Sequence, residues 1–188
     1  MLQDEYSKKK KEIKQRLKEF SQVKGDSIFY ELCFCLLTPQ SNAKKCDVAV
    51  RLLHDHDFLN RNINPVEYLH KNTRFHNNKS KYLIEMKKKF SSLEMKREFL
   101  VENVKGLGLK EASHFLRNIG YRDLAILDRH ILKNLVKYKA IQEVPNSLTP
   151  KKYHEIEEKF KQFSKRVNIP MDELDLLFWS METGEVFK

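Results

Sequence analysis

The sequence predicts an all-α fold, and three observations predict it. Glycine and proline number only five each in 188 residues, so few positions punctuate the chain. No stretch alternates apolar and polar residues with period two for long enough to form a strand. Apolar residues recur instead at three- and four-residue spacing, the period of an amphipathic helix.

The elements follow in order. Ile13, Leu17 and Phe20 mark the inner face of a basic N-terminal helix, whose lysines form its wet side. Asp26 and Ser27 can cap a buried helix running through Ile28 to Leu37, which Pro39 ends. Ser41 or Asn42 opens the next helix, with Val48, Leu52 and Leu53 facing inward. Pro65 suits the first turn of a short helix. Leu83, Met86 and Phe90 line another, and Phe99, Val101 and Val104 close one more. A glycine turn then leads to helices near 109–119, 128–138, 150–167 and 171–183, with no internal repeat and no low-complexity linker.

Composition narrows the partners. Lys and Arg number 36 against 26 Asp and Glu, a net charge of +10, which favours a polyanion; nucleic acid is the commonest one. A basic protein with no polyanion partner fits the charge equally well. The beginning, MLQDEYSKKKK, has no apolar stretch behind it and does not read as a secretion signal. The longest apolar run, Leu32 to Leu37, is too short to span a bilayer. Cys33, Cys35 and Cys46 are odd in number and lack metal-ligand spacing. They read as reduced core thiols of a cytoplasmic protein, with neither a zinc site nor an iron–sulfur cluster.

The stretch richest in chemistry is Val104-Lys105-Gly106-Leu107-Gly108-Leu109-Lys110-Glu111-Ala112. Two glycines one residue apart make a tight turn whose amides no Cβ shields, and the next helix points its N-terminus outward. Such amides bind a phosphate oxygen well, although a plain helix–helix connector would use the same glycines. Ala112, Phe115, Leu116 and Ile119 share one helical stripe, the buried one. Lys110, His114 and Arg117 fall on the opposite side, so Lys110 stands at the helix start on the face a ligand would see; a solvated lysine could stand there too.

Eighteen residues beyond Lys110 comes Asp128, between the apolar runs Leu124–Leu127 and Ile131–Leu132. It is well placed to cap a helix, and a capping carboxylate is held rigidly and stays ionised.

Together these residues resemble the helix-hairpin-helix DNA glycosylase superfamily, which includes endonuclease III and the 8-oxoguanine glycosylases. Its signature is a Gly-x-Gly hairpin turn, a lysine two positions later and an aspartate roughly eighteen to twenty residues further on. Gly106, Gly108, Lys110 and Asp128 match each part; Lys105 departs from it, standing where many members have proline. The resemblance implies that Lys110 attacks the sugar C1′, expels the base and holds the sugar as a Schiff base for β-elimination. Asp128 would stabilise the cationic sugar and help activate the lysine. Gln40, in Leu36-Leu37-Thr38-Pro39-Gln40-Ser41, matches the residue that fills the hole left by a flipped base, with Asn42 the second candidate; a plain loop before a helix would read the same way. Gly106, Gly108, His130 and Arg129 would touch the DNA backbone. The backbone carbonyls of Glu102, Val104 and Leu107 match those that hold a structural cation.

The resemblance is closest to the compact, archaeal-type 8-oxoguanine DNA glycosylase/lyases. The chain stops at Phe187-Lys188 without the cysteine loop of the endonuclease III branch. In that subfamily the tail reaches the base, so Lys188 would read it with an ammonium and a terminal carboxylate, while Trp179 or Phe178 stacks on it. 8-Oxoguanine differs from guanine chiefly in having a donor at N7, and an unmatched buried polar pair costs about 1–3 kcal/mol. The implied architecture is two helical subdomains, 1–24 plus 125–188 and 25–124. The second contains the hairpin at about 99–119, and a DNA cleft lies between them. The implied protein is a monomer acting on double-stranded DNA that contains 8-oxoguanine or abasic sites, with no cofactor and no membrane partner. An endonuclease III-type enzyme for oxidised pyrimidines and a non-catalytic DNA-binding hairpin stay open as alternatives.

Overall fold

The computed structural model describes residues 2–188, and every regular element among them is helical. The α-helices are α1 (Leu2–Phe20), α2 (Asp26–Leu37), α3 (Ala43–Asp55), α4 (Val66–Leu69), α5 (His76–Lys89), α6 (Arg97–Asn103), α7 (Leu109–Asn118), α8 (Arg129–Lys137), α9 (Pro150–Val167) and α10 (Met171–Thr183). The chain divides into two compact units, Val23–Phe115 and the pair Met1–Gln22 with Leu116–Lys188. One division falls inside α7, between Phe115 and Leu116.

In the first of these units α2 is the central helix, buried along nearly its whole length from Phe29 to Leu37, and both α3 and α5 pack on it. All three cysteines are buried and none is in a disulfide, and burial pushes the Cys33 thiol well up. Asn42 caps α3, its side chain accepting the Lys45 amide at 3.1 Å. Three expectations need correction. Asp26 and Ser27 lie in the first turn of α2, and Gly25, with φ at +57°, is the cap. Val48 is 48% exposed, because the inner face of α3 is made of Cys46, Ala49, Val50 and Leu53. On α6 the buried residues are Leu100 and Arg97, while Phe99 and Val101 are only half-buried. In a helix of under two full turns, a shift of one residue moves the inner face and periodicity cannot locate it.

In the other unit α10 is central, with α1, α8 and α9 packed against it. Met171 through Phe178 are buried without interruption. Phe178 stacks on Tyr138 with ring centres 5.6 Å apart and packs against Phe160 and Phe163. Three buried acids interrupt this apolar helix, each with a partner. Glu173 accepts the Tyr6 hydroxyl, Asp172 accepts the Asp123 amide at 3.4 Å, and Asp175 lies 3.3 Å from Arg117.

Burial pushes the Asp175 carboxyl up to about 7, outweighing the opposing pull of Arg117, and raises Asp172 in the same direction. In the unfolded chain an aspartate releases its proton near pH 4. From there up to about pH 7 the unfolded state therefore binds fewer protons than the folded state, so stability present at low pH declines as pH rises. Asp175→Asn mimics the neutral carboxyl and is expected to flatten that decline in melting curves recorded between about pH 4 and 8. Parallel curves for the two proteins would mean that Asp175 is ionised against Arg117 throughout.

Candidate active site

The hairpin is built from α6, a turn at 104–108 and α7. Val104 caps α6, and its carbonyl accepts the Leu107 amide at 3.1 Å, which closes the turn. Gly106 has φ at +89°, and a Cβ there would come within 2.5 Å of the Tyr82 ring, so close packing and conformation both require glycine. The Lys105 ammonium stands 5.8 Å from the centre of the same ring. Gly108 accepts the first helical bond, from the Ala112 amide at 2.9 Å, and so caps α7.

Lys110 lies in the first turn of α7, with 30% of its side chain exposed. Its ammonium is 2.8 Å from Glu111 Oε1, and Glu111 Oε2 accepts the Gly108 amide at 3.3 Å. One carboxylate thus ties the lysine to the glycine turn. Glu111 has the spacing of the returning half of a capping box, a signal already present in the sequence.

Arg117 does not share an open face with Lys110. It is 3% exposed, paired with Asp175, and its guanidinium lies 4.8 Å from the centre of the Phe20 ring. His114 is half-buried against Phe34, ring centres 5.7 Å apart. A helical wheel treats arginine as solvated, and only a buried acid from a distant segment could reverse that.

Asp128 caps α8. A single oxygen, Oδ1, accepts the amides of His130 and Ile131, both at 2.8 Å, while Oδ2 takes no hydrogen bond from the described residues. Arg129 is exposed, and its Nε lies 3.3 Å from His130 Nε2. The His130 ring stands edge-on to Trp179, centres 5.3 Å apart, and its Nδ1 is 3.7 Å from Glu182. Trp179 keeps some exposure, and its buried Nε1 has no hydrogen-bond partner. Phe178 is 0% exposed in the aromatic core described above, which removes it from the residues able to stack on a base. Gly184, with φ at +86°, ends α10; Val186 is then buried, and Phe187 and Lys188 are half-buried.

Gln40 is exposed at the tip of a turn closed by the Ser41 amide on the Thr38 carbonyl at 3.0 Å. Its φ is +55°, a left-handed value that follows Pro39, as in type II turns, where glycine or asparagine is usual.

A family model described as 8-oxoguanine DNA glycosylase matches residues 13–169. The chain belongs to the 8-oxoguanine DNA glycosylase family. A relative from Fusobacterium nucleatum named 8-oxoguanine DNA glycosylase/AP lyase is 45% identical, covering 97% of this chain and 94% of its own length. Two crystal structures are close in backbone as well. The 8-oxoguanine DNA glycosylase of Thermotoga maritima has a TM-score of 0.89 at 31% identity, over 100% of this chain and 96% of that one. The Methanocaldococcus jannaschii glycosylase/lyase, solved with a 15-mer DNA containing 8-oxoguanine, has a TM-score of 0.85 at 36% identity, over 95% and 93%. The span matched by the family model ends before Trp179 and the tail. Among the described residues of this family member, no group of three His, Cys, Asp or Glu could hold a metal ion, and no helix is long and apolar enough to cross a membrane.

Proposed function

We propose that this chain excises 8-oxoguanine from duplex DNA and then cleaves the strand as an abasic-site lyase. The observation that carries the reading is Lys110, in the first turn after a Gly-x-Gly hairpin, in a chain 45% identical to a named 8-oxoguanine glycosylase/AP lyase. Lys110 gives up its ammonium proton to water and its Nζ attacks C1′; the glycosidic bond breaks, and the base leaves with its electron pair and takes up a proton. The sugar ring opens to a Schiff base on Nζ. Loss of a C2′ proton then expels the 3′ phosphate, and water releases the lysine. Asp128 offers Oδ2 to the positive charge that develops on the sugar, while Oδ1 keeps the cap.

The Gly106 and Gly108 amides take a phosphate oxygen, Gly108 exchanging its long bond to Glu111 for it. Arg129 and His130 add phosphate contacts, and Gln40 fills the space of the extruded base. Trp179 and Lys188 address the base itself. The carbonyls of Glu102, Val104 and Leu107 suit a hard cation that would reinforce the phosphate grip. The Val104 oxygen accepts the Leu107 amide and has a second lone pair to give.

Incubation with borohydride and a panel of damaged duplexes tests the whole reading. A covalent adduct on the 8-oxoguanine duplex is expected. An adduct confined to oxidised pyrimidines would point to the endonuclease III chemistry, and binding without any adduct to a DNA-binding module. A second prediction concerns the tail. Deleting Lys188 is expected to leave abasic-site cleavage within about twofold of wild type while lowering 8-oxoguanine excision by about tenfold, the scale of one lost buried hydrogen-bonded pair. Equal losses on both substrates, or none on either, would remove the tail from base recognition.

A further inference from the structure

Lys79 is a lysine almost out of solvent, 5% exposed, in the first turns of α5. Its ammonium lies 2.6 Å from the Leu37 carbonyl, 2.7 Å from the Pro39 carbonyl, 2.9 Å from Ser41 Oγ and 2.9 Å from Thr73 Oγ1. Three N–H groups face four oxygens, so every donor is used. Leu37 ends α2, and its carbonyl is among those that no helical partner satisfies; a cation there also meets the negative end of the helix dipole.

The four oxygens come from two separate stretches of chain. Pro39 and Ser41 belong to the turn that carries Gln40 and Leu37 to the end of α2 that leads into it, while Thr73 belongs to the loop before α5. The loops are also joined directly: Ser41 Oγ is 2.8 Å from Thr73 Oγ1 and accepts the Arg74 amide at 3.0 Å. Each loop holds a non-glycine residue in the left-handed region, Gln40 at φ +55° and the exposed Phe75 at +57°. Such conformations persist only where the surroundings over-determine them. Burial lowers Lys79 to about 8, with Arg74 and Lys110 acting in the same direction. An ammonium kept in so unfavourable a place marks a site where geometry outweighs stability.

We propose that Lys79 is a positioning residue for DNA engagement, its ammonium clamping the Thr38–Ser41 turn to the Thr73–Phe75 loop so that Gln40 is held ready before DNA arrives. The clamp rests on the reading of Gln40 as the residue that fills the vacated base position. Rigid presentation spares the ordering cost that a loose turn would incur on binding.

A double-mutant cycle on single-turnover excision from an 8-oxoguanine duplex tests it. Lys79→Met is expected to lower the rate about tenfold in the wild-type background and less than about twofold in the Gln40→Ala background, because coupled residues are not additive. A residue that merely supports the fold would lower both backgrounds by the same factor, and that result overturns the proposal. No loss in Gln40→Ala alone would overturn the Gln40 reading and the clamp together; a Gln40→Ala loss with equal Lys79 effects overturns the clamp only. If Lys79→Met fails to fold, Ser41→Ala takes its place in the same cycle, since it cuts one ammonium contact and both direct ties between the loops. The same coupling is expected of it, and additivity overturns the clamp there as well.

Discussion

Replacing Lys110 with glutamine is expected to abolish base release and strand nicking together, while affinity for an 8-oxoguanine duplex stays within a few-fold of wild type. Both steps pass through the same Nζ–C1′ bond, so removing the amine removes both. A loss on the order of a thousandfold or more is expected where a nucleophile works as part of a unit. The hairpin turn does not depend on this side chain. Gly106 keeps its fit against Tyr82, and the Leu107–Val104 and Ala112–Gly108 backbone bonds remain. Glutamine is a good helix former for the first turn of α7, and Glu111 can accept its amide in place of the ammonium. Borohydride trapping and gel-shift binding on one preparation check this. Persistent trapping would reassign the nucleophile, with Lys105 the first candidate because it belongs to the same turn.

Asp128→Asn is expected to lower the excision rate about a hundredfold or more while shifting the melting temperature little. Asparagine caps helices as well as aspartate, so the amides of His130 and Ile131 keep an acceptor and α8 keeps its start. What is lost is the charge opposite a cationic transition state, and a preorganised charge of that kind contributes a few kcal/mol. A rate near wild type in a folded Asp128→Asn protein would leave the carboxylate with no role beyond the cap. A large fall in melting temperature would show instead that α8 depends on the ion itself.

Features that depend on neighbours within a few residues are legible in the order of residues alone. Helix period, turn chemistry and caps are local, so α7, α8, α9 and α10 begin and end within a residue or so of their expected bounds. For the same reason the Gly106-x-Gly108 turn, Lys110 in the turn after it and Asp128 as a cap could be read before any fold was known. Glu111 was equally legible, through its spacing from Gly108.

Features that depend on partners far along the chain emerge only once it is folded. Arg117 lies on the polar side of a helical wheel, yet it is buried because Asp175 supplies a counter-charge 58 positions later. Phe178 and Trp179 are adjacent aromatics, and only packing against Tyr138, Phe160 and Phe163 places the first wholly in the core while the second keeps an open edge. Lys79 sits in a run of polar and basic residues and reads as surface, but two loops thirty residues and more apart converge on its ammonium. Burying a charge is tolerated only where several distant oxygens meet it at once, and their convergence is a property of the folded chain alone.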